Sequence, residues 1–351
     1  MPRTALAALL TVAAGLTATH AATVTSGGSD DDASQLVRFV ATLEADGPPF
    51  ENQRRSELRA AENALARTPV PTTECAQSLG AARHGALHAE VAVARQASGD
   101  RSGAIAAWQR ALDCEPRNAR YRVALAERLL TFGRLEETGA QVGRAAGLTP
   151  RQRGLEELQA RFDYVAGRWP DAARRARQIA ARLNSEPSTV ATTVAGATVA
   201  ASPRDDAEVE ADAFPDSDSD TDVAGFWRLL ALLAQRRGGL PPQALPDPDP
   251  TLGGRWPLPL YRLLVGETDE RAVVAAIEAR DDPRRRREMA CEALYYTAQQ
   301  AFANGRPEIG RQRLARVVNL KVLYFVEHDL ALAELAMLRR PGTNPLDRST
   351  R

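Results

Sequence analysis

Apolar residues recur at spacings of three and four positions through most of the chain, a pattern that predicts amphipathic α-helices. Between residues 85 and 186, glycines divide this pattern at Gly99, Gly133 and Gly167, each 34 residues after the one before. Glycine readily adopts the left-handed backbone conformation that ends a helix. The pattern therefore predicts three successive helix–turn–helix units.

The residues that flank these turns repeat as well. In the first unit Ala104 and Ala111 stand on either side of Trp108, and Pro116 follows. Small residues let paired helices approach closely, a large apolar side chain fills the groove beside the next unit, and proline stops the second helix. A period of 34 residues with these residue types is typical of tetratricopeptide (TPR) repeats.

Helical patterning extends on both sides of the repeats. Amphipathic segments are predicted at 34–46 and 51–67, and a fourth unit is predicted at 291–319 with Gly305 in the turn. The third unit is atypical because Ala176 stands where a large residue is expected. We therefore predict an all-α fold, a TPR helical-hairpin solenoid that is interrupted once and ends in a capping helix.

The interruption is acidic. Ten carboxylates against Arg204 leave residues 185–222 with nine net negative charges, and such a stretch has too little apolar surface to fold. It predicts a disordered acidic linker, and a Pro-rich connector follows at 238–254. The predicted organisation is a signal peptide (1–21), a flexible N-terminus (22–33), a helical/TPR region (34–184), the linker (185–222), a helical/TPR module (223–340) and a flexible tail (341–351).

The N-terminus predicts export. One charge, at Arg3, precedes an apolar run to about Ala18, and small residues near Ala21 suit cleavage by signal peptidase. The run is short for a membrane span, so we expect a periplasmic or secreted protein with no integral membrane span after cleavage. The 45 basic and 45 acidic residues balance, which gives no electrostatic reason to expect a nucleic-acid partner.

Three cysteines are present, and export would permit a disulfide. If one unbroken helix ran from Cys75 to the turn at Gly99, Cys75 and Cys114 would lie at different distances from that turn along the two helices of the pair. Their Cα atoms would then be too far apart for a disulfide. A bridge would require that helix to break at Gly80 or Gly85. The favoured prediction is that the cysteines are buried and unpaired.

The C-terminal third carries a more specific pattern. It combines Trp256-Pro257-x-Pro259, a turn at Gly266, a Cys-Glu-Ala-x-Tyr-Tyr helix from Cys291, and Phe-Val-Glu-His from Phe325. This segment resembles the closing module of exported bacterial TPR proteins of the new-lipoprotein-I type. The resemblance implies a non-catalytic adaptor that docks cell-wall hydrolases and proteases. The chain departs from that family because it lacks a lipobox cysteine.

The sequence offers little catalytic chemistry. His84 and His88 share one helical face at a spacing that can bind a metal, but no third ligand is nearby. The four arginines from Arg284 to Arg287 are predicted to form a solvated face. No cofactor is predicted, and an envelope hydrolase or metal-dependent enzyme centred on the two histidines is kept as an alternative.

The main hypothesis is a scaffold that binds proteins or peptides. TPR solenoids bind partners on the face lined by the first helix of each pair. That geometry predicts partner contacts at nine residues: Arg120, Glu127, Leu130, Glu157, Arg161, Tyr164, Tyr295, Gln299 and Phe302. A homo-oligomeric structural protein, in the simplest case a homodimer, is a further alternative because solenoid ends can self-associate.

Overall fold

The structure, a computed structural model, describes residues 34–45, 51–68, 75–78, 80–149, 153–185, 223–241, 255–323 and 325–339. Every regular element in this part of the chain is helical, so the all-α prediction is confirmed. The α-helices are α1 (Gln35–Ala45), α2 (Glu51–Ala66), α3 (Ala81–Ala97), α4 (Arg101–Cys114), α5 (Ala119–Thr131), α6 (Leu135–Leu148), α7 (Arg153–Val165), α8 (Trp169–Ser185), α9 (Val223–Arg237), α10 (Leu258–Val265), α11 (Glu270–Glu278), α12 (Pro283–Ala303), α13 (Pro307–Asn319) and α14 (Val326–Leu338).

Four helix pairs form where the glycine pattern predicts them. The pairs α3–α4, α5–α6, α7–α8 and α12–α13 pack together in the structure. Their turns contain Gly99, Gly133, Gly167 and Gly305, which have φ of 86°, 64°, 73° and 69°. A side chain at such a φ is strained, so the turn itself selects glycine.

Local signals also begin several helices. The side chain of Asp100 accepts a hydrogen bond from the backbone N–H of Gly103, and Asn118 accepts two in the first turn of α5. Asp269 and Asp282 act in the same way at α11 and α12. Each cap satisfies backbone donors that the helix itself leaves unpaired, which is worth about 1 kcal/mol.

The small and large residues of the repeat pack as their types require. Ala92, Ala104 and Ala111 are fully buried, and the indole of Trp108 is 1% exposed. The Trp108 ring lies 5.7 Å from the ring of Tyr121 on the next helix pair. Trp108 therefore joins two successive pairs, while the alanines let the helices within a pair approach.

Outside the repeats, α9 packs along α8 and against α12, and α1 packs against α11, α12 and α13. Helix α9 follows residues 186–222, and its buried side chains include Trp227, Leu229 and Leu233. Helices α5 to α8 before those residues and α9 to α14 after them therefore share one core, whereas α3 and α4 form a second core with part of α5.

The prediction that all three cysteines are unpaired is wrong. Cys75 and Cys114 form a disulfide with their Cα atoms 4.6 Å apart, and only Cys291 is a buried free thiol. Helix α3 begins at Ala81, after Gly80, and Cys75 lies in a separate 3-10 turn at Cys75–Gln77. The helix is thus interrupted at Gly80, one of the two glycines at which the disulfide required a break.

The arginine run is not a solvated face. Arg287 is buried and donates hydrogen bonds to the backbone carbonyls of Leu320 and Leu43. Arg284 and Arg285 both pair with Glu288 on the same helix. The run therefore joins α12 to the end of α1 and to the segment after α13, because arginine can reach several carbonyls at once.

Several predictions fall outside the described residues: the signal peptide, the flexible N-terminus, most of the linker, the connector from residue 242 and the tail. Helix α8 continues through Ser185, so the one linker residue that is described is helical. None of the helices in the described ranges is both long enough and apolar enough to cross a bilayer.

Two glycine substitutions should change stability in opposite directions. Gly305→Ala should lower the free energy of unfolding by about 1 kcal/mol, because the site is sterically open but φ is 69°. Gly143→Ala, in open space within α6, should raise it by roughly 0.5–1 kcal/mol. Urea unfolding measures both, and equal effects of the same sign would contradict the assigned backbone.

Candidate functional site

The last helix occupies the surface on which a partner was predicted. Helix α14 packs against α5, α7 and α12, which are first helices of three pairs, and against α13. We call the surface of α5, α7 and α12 that contacts α14 the α14 face. Buried residues of α14 include Leu330, Ala333 and Met337 but also the polar Glu327 and Glu334. Helix α14 therefore buries acidic side chains as well as the apolar side chains of its stripe.

Charged contacts hold the first turn of α14. The guanidinium of Arg128 on α5 donates to the Asp329 carboxylate at 2.7 Å, and Arg101 lies 3.3 Å from Nδ1 of His328. Burial alone would raise the pKa of Asp329, but the guanidinium of Arg128 and the contact with His328 hold that pKa below its ordinary value. The carboxylate is therefore ionised when the helix is docked.

A second carboxylate in this turn is in a different state. Glu327 is 4% exposed, and it accepts a hydrogen bond from the Tyr296 hydroxyl at 3.3 Å. Burial raises the pKa of Glu327 to about 7, more than its hydrogen bonds and the charges of Arg161 and Arg285 lower it. Near neutral pH this carboxyl group therefore takes up and releases a proton.

Arg237 organises the polar contacts of the second half of α14. Its Nη1 donates to Glu334 at 2.6 Å and to the Gln299 Oε1 at 2.5 Å. Tyr295 and Gln299 also donate to Glu334, at 2.9 and 2.7 Å, and Tyr164 donates to Gln299 at 3.1 Å. We call these five residues the Arg237 cluster. They come from four helices: α7, α9, α12 and α14.

Aromatic rings enclose the cation of this cluster. The guanidinium carbon of Arg237 lies 4.5 Å from the ring centre of Trp169, 5.0 Å from that of Phe302 and 5.7 Å from that of Tyr164. Such rings attract a cation through their π faces. The ion pair of Arg237 with Glu334 is thus shielded from water, with both side chains under 10% exposed.

The structure changes the role of five predicted partner residues. Leu130, Tyr164, Tyr295, Gln299 and Phe302 are all buried. Three of them belong to the Arg237 cluster, and Phe302 lies beside its guanidinium. A buried side chain has no surface to offer an external partner, so in this conformation these residues contact the chain itself. The prediction that they present an open face is therefore corrected.

The other four predicted residues keep some exposure. Arg161 and Glu127 pair at 2.6 Å, with side chains 18% and 12% exposed. Arg120 is exposed in the first turn of α5, and Glu157 is partly buried on α7. These four do not join the cluster and lie on α5 and α7 alone.

Sequence reasoning missed four residues that form two ion pairs here, Arg128 with Asp329 and Arg237 with Glu334. A signal was present, because α14 carries three carboxylates among leucines and alanines, and α9 ends in arginines after an apolar run. Charged residues are rarely fully buried without a partner, so carboxylates in an apolar helix indicate buried pairs. The pattern does not say which arginine is the partner.

The residues of the C-terminal pattern serve packing. Trp256 is buried, and its indole N–H donates to the Glu292 carboxylate. Burial raises the pKa of Glu292 well above its ordinary value, and it does the same for the thiol of Cys291 next to it. A thiol held in its protonated form is a poor nucleophile.

The two histidines do not form a metal site with a third residue. Nδ1 of His84 lies 2.9 Å from the carbonyl oxygen of Gly80, one turn earlier. Burial, followed by the nearby charges of Arg110 and His84, lowers the pKa of His88. Across the described ranges, no three histidine, cysteine or acidic side chains are grouped so that they could hold a metal ion.

No family model matches the chain, and no curated protein matches it.

Proposed function

We propose that this protein is a non-catalytic TPR-type scaffold of the bacterial envelope, and that the α14 face binds an acidic helix of a partner protein. The single observation that carries the proposal is the docking of α14 itself. A helix with carboxylates at Glu327, Asp329 and Glu334 lies on the first helices of three pairs, and it meets arginines in its first turn and in its second half. A surface that accepts one such helix has the chemistry to accept another.

In this proposal α14 competes with the partner. Only molecules in which α14 is undocked can bind the partner. The apparent affinity of the face is therefore proportional to the undocked fraction. Variants that weaken or fix α14 should therefore change binding in opposite directions, and the chain offers both kinds.

The weakened variant is Asp329→Asn. It removes the ion pair of α14 with Arg128, and we expect a labelled peptide of residues 325–339 to bind it about ten-fold more tightly than it binds the wild type. The peptide keeps its own aspartate and can pair with Arg128, whereas the attached helix cannot. Fluorescence anisotropy measures the affinity.

The fixed variant is Gly133→Cys with Ala336→Cys. A Cβ built on Gly133 lies 3.3 Å from that of Ala336, which is close to disulfide distance. Oxidised, this variant should lose peptide binding, and mild reduction should restore it; the wild type under the same reductant controls for the native bridge. Equal peptide affinity in the oxidised and weakened variants would refute the α14 face as the binding surface.

The same three proteins test the biological partner. A crosslinking pull-down from an envelope fraction should recover hydrolases or proteases with the weakened variant and fewer with the oxidised fixed variant. Recovery of only the protein itself, with all three baits, would favour the homo-oligomeric alternative.

A further inference from the structure

A cleft of about 510 Å³ lies away from the α14 face, between α1, α11 and the α12–α13 pair. Its lining includes four arginines: Arg38, Arg271, Arg306 and Arg313. Only two acidic residues, Asp269 and Glu270, line it. The cleft is thus open, polar and cationic, and its volume falls in the range of small-molecule sites.

Both acidic residues are already engaged within the protein. One carboxylate oxygen of Glu270 accepts from the Ser34 hydroxyl at 2.6 Å and the backbone N–H of Leu36, and the other accepts from Arg313 at 3.2 Å. Asp269 accepts two backbone N–H groups as the cap of α11. These bonds hold α1, α11 and α13 together, and of the two carboxylates Glu270 pairs with one of the four arginines, Arg313.

Two of the arginines are not engaged. The side chains of Arg271 and Arg306 are exposed, and neither has a hydrogen-bond or ion-pair partner within the described ranges. Arg306 stands at the start of α13, whose first turn receives no side-chain cap. Guanidinium groups that converge on a concavity without a carboxylate partner favour an anion with several oxygen atoms.

We infer that this cleft binds a small polyanion, a molecule with at least two carboxylate or phosphate groups, which Arg271 and Arg306 contact directly. The inference does not rest on the proposed function, because the four arginines lie on or beside α1, α11 and α13, and none lies on α5, α7 or α12. The two chemistries are separated by the probes: citrate for carboxylates and pyrophosphate for phosphates.

Isothermal titration at low ionic strength tests the site in the full chain. One probe should bind saturably, and Arg271→Ala with Arg306→Ala should weaken its binding by ten-fold or more, since the variant loses charge-assisted hydrogen bonds to the anion. Arg174→Ala, which changes an exposed arginine on α8, should leave the affinity unchanged. The double variant should keep the helical circular dichroism spectrum and the urea midpoint of the wild type, which shows that it folds.

Three outcomes would overturn the inference. The first is no saturable heat with either probe, and the second is equal affinity in the wild type and the double variant. The third concerns Asp30, Asp31 and Asp32, which precede Ser34 in the sequence. Binding seen only after all three are changed to asparagine would assign the cleft to the chain's own aspartates rather than to a free ligand.

Discussion

Replacement of Arg237 by methionine should lower the free energy of unfolding by about 3 to 5 kcal/mol, the cost typical of breaking a buried ion pair. The substitution leaves the Glu334 carboxylate buried with only Tyr295 and Gln299 as donors. It also removes the cation from between three aromatic rings. Urea unfolding followed by circular dichroism measures the loss.

A compensating change separates lost charge from lost packing. Arg237→Met combined with Glu334→Leu should recover at least half of the stability, because no unpaired charge is then buried. Arg174→Ala, at an exposed arginine that pairs with Asp171, should change stability by less than about 0.5 kcal/mol. A loss below 1 kcal/mol for Arg237→Met would mean that the cluster is not buried as described.

Stability should fall as the pH rises from about 5 to 8, by up to about 3 kcal/mol, because of Glu327. Its pKa is about 7 in the folded protein and near 4.5 in the unfolded chain. The folded state therefore holds the proton more tightly, and this stabilisation is complete below pH 4.5 and lost as the pH passes 7. Denaturation midpoints across this range measure the slope.

Two other carboxyl groups near Glu327 also change the stability with pH, one in the same direction and one in the opposite direction. The raised pKa of Glu292 adds to the loss at higher pH, whereas the lowered pKa of Asp329 produces a loss only in acid, below its ordinary value of 3.8. Glu327→Gln should reduce the slope between pH 5 and 8, because the amide cannot ionise. Glu308→Gln, at a glutamate with 71% of its side chain exposed, is the matched control. Identical slopes for Glu327→Gln and the wild type would contradict the prediction.

This pH dependence bears on the proposed competition. Glu327 lies in the first turn of α14, so its ionisation opposes docking of the helix that covers the face. The labelled peptide also carries the Glu327 carboxylate, but the same peptide is used with both proteins. A difference in its binding therefore reports how firmly the attached helix is docked. A Glu327→Gln protein with an unchanged peptide should therefore show weaker peptide binding above pH 7 than the wild type does.

Sequence reasoning was strongest where the cause of a structure is local. The left-handed turns at Gly99, Gly133 and Gly167 depend on glycine alone, and the bounds of α10 depend on Pro257 and Gly266 at its two ends. Helix periodicity placed the bounds of α1 and α2 within one residue. Such features need only a few neighbouring residues, all of which are visible in the sequence.

The candidate site could be predicted only in part. The residues on one side of the first helices could be assigned, because the repeat register identifies them; that this side binds a partner stays a prediction. That α14 lies on this side could not be predicted, since nothing local links Arg128 to Asp329 or Arg237 to Glu334. The disulfide of Cys75 was likewise missed, because its geometry depends on where α3 begins.

The sequence by itself thus determined the repeating helix pairs, their turns and the helices α1 and α2, all of which arise from interactions among residues close along the chain. Only the tertiary structure decided that α14 lies on the predicted partner surface and that four arginines line one cleft. Those outcomes depend on which charges become buried together, and a buried carboxylate is stable only beside a partner that a different helix supplies. Residues distant in the sequence, such as Tyr164 and Gln299, therefore acquire their roles only when the helices pack.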